Sequence, residues 1–258
     1  MSDYQKKKAF FNRVLTVYGR KPVLEALGQQ DLSIYKVHLA DSNKPGGIID
    51  DICRLAEQRQ IPIAHHGKQA LSRISRNGKQ DQGVAADIHL RGAVDLDTFL
   101  HQPASAGPRQ LIALDRITNP QNLGMIIRSV AASPIAGILL PEKGGAPLSP
   151  LVVKASAGTL FKATLVRCDT LLPALTSLQD AGFTIATLSS RAHHSIFDRR
   201  RADGNIVYVL GNETDGVSSN IEKLANEHLR IPMQNNVESL NVAVTAALIA
   251  FLAHMVQQ

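Results

Sequence analysis

Three separated stretches carry residue types that suit chemistry on a polar ligand. The first is "DRITNPQNLGMIIR", Asp115 to Arg128. Asn119-Pro120 makes a turn, and Asn122 then precedes an apolar helix that contains Gly124. Asn122 suits a helix N-cap, which stabilises by ~1 kcal/mol, or a ligand contact. Arg128 stands among Ile126, Ile127, Val130 and Ala131. A guanidinium on an apolar face must be paired, reach out to water, or hold an anion. The second stretch is "VLGNETDGVS", Val209 to Ser218. A β-branched strand runs into Gly211, where a missing side chain lets the backbone come close to a ligand. Glu213 follows at once, where a ligand-facing carboxylate belongs; Asp215-Gly216 also reads as an ordinary turn. The third is "IPMQNNVESLNVAVTAALIAF", Ile231 to Phe251. A strand ends at Pro232-Met233, a polar loop follows, and Ser239-Leu240-Asn241 opens a long helix, with Ser239 a candidate cap. That helix is apolar nearly all round, which predicts burial. Its N-terminal N–H groups would point at the strand ends and bind a polar ligand.

The elements that must position these residues follow from periodicity. From Leu111-Ile112-Ala113-Leu114 onward, strands alternate with helices: Gly137 to Leu140, Ala163 to Arg167, Thr184 to Leu188, Ile206 to Leu210 and Leu229 to Met233, with helices at Leu172 to Asp180 and Asn241 to Met255. Such alternation predicts a parallel sheet covered by helices, with ligands gathering beyond the carboxyl ends of the strands. A smaller α/β unit precedes it. There Pro22 to Leu27 is helical, Ile34 to Leu39 alternates as a strand, Ile48 to Arg59 is an amphipathic helix, and Ile61 to Ala64 and Val84 to Ala86 are short strands. The expected division is a flexible basic N-terminus over 1–13, a small domain over 14–92, a linker over 93–109 rich in Pro, Ser and Gly, and the larger domain over 110–258.

Composition bounds the class. The chain has 258 residues, 44% hydrophobic and 19% charged, as a globular protein does. No apolar run reaches the ~18 residues that cross a bilayer, and Lys6-Lys7-Lys8 is followed by no apolar segment, so no membrane span or secretory signal is expected. Cys53 and Cys168 have no metal-ligand spacing, and free thiols suit a cytoplasmic protein. His65-His66 and His193-His194 lack partners for a metal and are expected on the surface. The net charge of +6, with local runs Lys6-Lys7-Lys8 and Arg199-Arg200-Arg201, permits a polyanionic partner. No GxGxxG, P-loop or GxSxG occurs, which sets aside nucleotide-dependent dehydrogenases, P-loop enzymes and serine hydrolases.

In this order and spacing, the three segments resemble those of the SpoU (TrmH-like) family of RNA ribose 2′-O-methyltransferases, over roughly residues 110–256. The elements are Asn122 through Gly124 to Arg128, then Gly211 with Glu213, then Ser239-Leu240-Asn241. "VYGRKPVLEAL" and "QGVAA" in the small domain resemble that family's substrate-binding domain. The resemblance implies an α/β fold whose C-terminal, mostly parallel sheet carries a trefoil knot, preceded by a small α/β substrate-binding domain. It implies S-adenosyl-L-methionine as methyl donor, RNA as substrate (ribosomal RNA ahead of transfer RNA) and a homodimer, with no metal. Asn122, Arg128, Glu213, Ser239 and Asn241 would form the catalytic constellation. Gly211, Ile231 and Leu240 would line the donor pocket, with Thr187 and Leu188 as another wall. Asn235-Asn236-Val237-Glu238 departs from the small residues common in relatives and marks a substrate-facing surface that differs. Arg128 has been cast as a base in such enzymes; guanidinium is a poor base, and holding a phosphate while stabilising alkoxide charge suits it better.

Overall fold

The structure, a computed structural model, describes residues 13–102, 107–198 and 204–255. The basic runs Lys6-Lys7-Lys8 and Arg199-Arg200-Arg201 lie outside the described residues. Contacts divide the chain into two compact units near Arg91-Gly92.

The first unit runs β1 (Val14–Tyr18), α1 (Arg20–Gly28), β2 (Ile34–Ala40), α2 (Ile48–Gln58), β3 (Ile63–His66), α3 (Lys68–Ser75) and β4 (Val84–His89). The sheet order is β1-β4-β2-β3. Both pairings of β4 are antiparallel, and β2 with β3 is parallel. Ile49, Ile52 and Ala56 recur at helical spacing and form the buried stripe of α2. One polar row, buried at His38 and Asp87, crosses all four strands. Thr16 donates to Asp87 at 2.7 Å, His38 Nε2 meets the other Asp87 oxygen at 3.1 Å, and His38 Nδ1 meets His66 Nε2 at 2.9 Å. His66, expected on the surface, is half-buried and closes this row. Burial pushes its pKa down, and His38 beside it acts in the same direction. Burial works to raise Asp87, but hydrogen bonds from His38 and Thr16 outweigh it and hold the carboxyl low.

The second unit opens with β5 (Ala93–Asp95) and α4 (Leu96–His101). These replace part of the expected linker: Ala93-Val94-Asp95 pairs in parallel with Leu165-Val166-Arg167, and Asp95 caps α4 by accepting from Thr98 N. Then come β6 (Gln110–Leu114), α5 (Pro120–Ala131), β7 (Gly137–Pro141), α6 (Pro150–Ala155), β8 (Leu165–Cys168), α7 (Leu171–Asp180), β9 (Thr184–Leu188), β10 (His194–Ser195), β11 (Ile206–Leu210), α8 (Ser219–Leu224), β12 (Glu227–Arg230) and α9 (Val242–Met255). The eight strands order as β10-β12-β9-β11-β6-β7-β8-β5, and every pairing between them is parallel. β6, β7 and β11 are buried at every residue, the pattern of a sheet covered on both faces. Leu111, Ala113, Val207 and Val209 pack with Leu175, Leu178 and Phe183 in one core.

Two details fix the elements that carry the site. Asn119, not Asn122, caps α5, its side chain accepting from Gln121 N at 2.8 Å, and Pro120 follows at the first helical turn. Gly124 lets α5 press on α6: a Cβ there would lie 2.4 Å from Ala155 Cβ and 2.9 Å from the Val152 carbonyl oxygen. The strand expected at Leu229 to Met233 begins two residues earlier and stops at Arg230.

Candidate active site

β12, β9, β11 and β6 lie side by side in the parallel sheet; the predicted residues follow the carboxyl ends of β6, β11 and β12, or, for Thr187 and Leu188, close β9 itself. Beyond these ends a cleft of about 1360 Å³ opens, lined by Leu188, Leu210, Gly211, Glu213, Ile231, Ser239 and Leu240 among others. That is where ligands bind in open α/β sheets. Its lining also carries the carboxylates of Asp198, Asp215, Glu222, Glu227 and Glu238, against the guanidinium of Arg191 among the described residues. In a chain of net charge +6, so acidic a cleft favours a cationic ligand over a phosphate. Apolar side chains beside backbone and carboxylates fit a sulfonium compound with a purine and an amino-acid tail.

The three stretches meet through side chains. Asn122 is buried, and its amide N–H donates to Glu213 in a short hydrogen bond. Its carbonyl oxygen accepts from Asn241 Nδ2 at 3.2 Å. Asn241 in turn caps α9, its Oδ1 accepting from Ala243 N at 2.9 Å and Val244 N at 3.4 Å. A chain Glu213–Asn122–Asn241 thus joins residues from all three segments. Asn241 therefore takes the capping role expected of Ser239, which lies in the loop, exposed and on the cleft wall. The cap also occupies two of the N–H groups expected to hold a ligand.

Other placements differ from expectation. Arg128 is exposed, because α5 turns Ile126, Ile127 and Val130 inward and Arg128 outward. It forms no ion pair or side-chain hydrogen bond among the described residues, and it does not line the cleft. Thr187 is buried at 1% exposure and its hydroxyl meets His228 Nδ1 at 2.8 Å; Leu188, one residue on, reaches the cleft. Gly211 stands on the cleft wall and is also required by its own loop. A Cβ there would stand 2.1 Å from the Gly216 carbonyl carbon, where the chain doubles back through an Asn212–Gly216 bridge. α9 is not wholly buried: Val244 is 49% exposed. The departing loop has left-handed backbone at Asn235 and Asn236, and its Glu238 lines the cleft.

Arg116 was not among the residues singled out in the sequence. It is the second residue after β6, with φ +57°; its Nη1 stands 3.5 Å from Asp215, and Asn212 donates to its carbonyl at 3.1 Å. The charged pair Asp115-Arg116 closing a four-residue apolar run was the available signal.

An all-parallel sheet with a ligand-sized cleft across its central strand ends is the layout of an α/β enzyme. Comparison with known proteins specifies which. Residues 109–251 match the model of the SpoU rRNA Methylase family, and residues 16–91 match that described as RNA 2′-O ribose methyltransferase substrate binding. An uncharacterised tRNA/rRNA methyltransferase of Mycolicibacterium vanbaalenii is 33% identical over 94% of this chain and 76% of its own length. A putative TrmH family tRNA/rRNA methyltransferase of Staphylococcus saprophyticus is 30% identical over 92% and 94%. In fold, the chain is similar to an AdoMet-bound rRNA methyltransferase of Sinorhizobium meliloti (TM-score 0.66, 23% identity, 98% and 92% covered). It is also similar to the SpoU methyltransferase AviRb of Streptomyces viridochromogenes in complex with AdoMet (TM-score 0.65, 21% identity, 98% and 92% covered). The chain belongs to the SpoU rRNA methylase family. It is thereby an RNA methyltransferase that uses S-adenosylmethionine.

Proposed function

We propose that this protein methylates a ribose 2′-hydroxyl in RNA, ribosomal RNA ahead of transfer RNA. The observation that carries the reading is the Glu213–Asn122–Asn241 chain, which joins residues of three distant segments beside the cleft. Leu188, Gly211, Ile231 and Leu240 would hold the donor, and Thr187 would act from behind through His228. When bound, the donor supplies an already activated methyl group. The protein has then to orient the ribose oxygen in line and manage one proton. A 2′-hydroxyl marks RNA off from DNA.

Asn122, fixed by partners on both sides of its amide, would align the ribose, with Asn241 and Ser239 shaping the loop beside it. Glu213 would orient Asn122. Arg128 would bind an RNA phosphate and stabilise developing alkoxide charge; its exposure and its lack of a side-chain partner among the described residues support this over a role as base.

The family further implies a C-terminal trefoil knot, a first unit that binds RNA, and a homodimer working in the cytoplasm. Met125 on α5 and Val244 on α9, 41% and 49% exposed, support an apolar face covered by a second copy. Among the described residues no helix is long and apolar enough to cross a membrane, and no group of metal ligands assembles. Calorimetry with S-adenosylmethionine tests the donor site. We expect binding by the full chain and its loss in Leu240→Arg; a folded full chain that binds no donor would sink the proposal. Methyl transfer to ribosomal RNA but not to transfer RNA is the expected order of substrates.

A further inference from the structure

We infer that Arg116 is a positioning residue that sets the affinity of the methyl-donor cleft by clamping the Asn212–Gly216 loop. The inference rests on the donor reading above. Arg116 stands outside the cleft, while Asp215 and Gly216 stand on its wall. Its guanidinium grips the far end of the loop: Nη2 donates to the Gly216 carbonyl at 3.2 Å, and Nη1 lies 3.5 Å from Asp215 Oδ2. Its own carbonyl holds the near end, accepting from Asn212 Nδ2 at 3.1 Å. One residue thus ties down both ends of the loop that carries Glu213.

The clamp has a buried anchor. Asp115 lies 3.7 Å from Arg116 Nε through one oxygen, and its other oxygen accepts from Ser218 N at 2.7 Å, just past the loop. An exposed ion pair alone is worth little. Here the backbone is also committed, because φ of +57° at a non-glycine residue is strained and persists only where surrounding contacts over-determine it. That conformation directs the side chain across the loop rather than along the strand. Without the clamp, Glu213 and the Gly211 backbone would sample more positions, and donor binding would have to order them.

The test uses the full chain and S-adenosylmethionine as probe. Arg116→Ala should raise the donor Kd and KM by about tenfold, the effect of losing one charged hydrogen bond and its ion pair. The RNA KM and kcat should stay within about twofold. Asp215→Ala should weaken donor binding by roughly threefold, and that effect should vanish in 1 M salt, where exposed pairs are screened. Arg116→Lys should recover part of the loss, since it keeps the charge but not the fork. Donor affinity within twofold of the native protein in both Arg116→Ala and Asp215→Ala would overturn the inference. So would an equal loss in kcat, donor KM and RNA KM. Should Arg116→Ala fail to fold by circular dichroism, Asp215→Ala and Arg116→Lys decide by the same criteria. A native chain that binds no donor overturns the earlier reading instead, a result distinct from a binding native chain matched by its variants.

Discussion

Gly124→Ala sets two opposed effects against each other. In a helix interior, Ala is favoured over Gly by about 1 kcal/mol. Against this, the new methyl would sit 2.4 Å from Ala155 Cβ and 2.9 Å from the Val152 carbonyl oxygen. Carbon atoms pack best at ~3.5–4.0 Å, so α5 and α6 must part by roughly 1 Å. Neither obstacle is a flexible side-chain end, so the methyl cannot be accommodated by a rotamer change. Overpacking of this kind costs about 1–3 kcal/mol, and the rigid neighbours place it at the upper end. The net loss is then about 2 kcal/mol, or a fall in Tm of ~4–8 °C for a chain of this size. Gly124 is two residues from Asn122, so displacement of α5 should also disturb the bond to Glu213 and lower methyl transfer. Gly28→Ala is the control: it ends a helix with nothing within 4 Å of the added Cβ, and its Tm should hold or rise slightly. Scanning calorimetry of the three proteins is the assay. A Gly124→Ala variant more stable than the native protein would refute the packing argument.

Three further outcomes follow from the structure. Glu213→Ala leaves the buried Asn122 amide without its acceptor, which costs about 1–3 kcal/mol, whereas Glu213→Gln offers another carbonyl; transfer assays should show Ala well below Gln, and equal activities would count against the Glu213–Asn122 bond. His66 has its pKa pushed below the ordinary 6.5, so its contribution to stability is complete above that value and is lost as pH falls through the folded value. Tm of the native chain should fall on acidification from pH 8 to 5 more steeply than that of His66→Phe, and parallel curves would contradict this. Cys168, pushed up by burial to about 12, should react with iodoacetamide at pH 8 far more slowly than free cysteine; alkylation at the rate of free cysteine would place its sulfur in water.

Strand content and the three chemical segments were legible because each leaves a local trace. β6, β9 and β11 are short apolar runs closed by polar or glycine residues, and their bounds differ from the sequence reading by at most one residue. Which polar residue does what was not legible. Asn119, Asn122, Ser239 and Asn241 are all competent caps, and only the backbone path decides that Asn119 and Asn241 perform the task. Of the options open to Arg128, only the structure shows that it reaches outward, because apolar sequence neighbours need not be spatial ones: helical rotation turns it away from Ile127. Gly211 looks the same in sequence whether a ligand or its own loop needs the space. Arg116 escaped because its role lies in partners about a hundred positions away, a separation no local pattern records. The resemblance, carried by spacing, identified the family that the comparisons then established.

The central claim is methyl transfer to ribose oxygen, and one measurement addresses it directly. Purified protein is incubated with methyl-labelled S-adenosylmethionine and deproteinised ribosomal RNA, and the RNA is digested to nucleosides for mass spectrometry. The account predicts label in a 2′-O-methylated nucleoside, with its yield strongly reduced by Asn122→Ala. Label confined to a base, or no transfer by a protein that binds the donor, would contradict it.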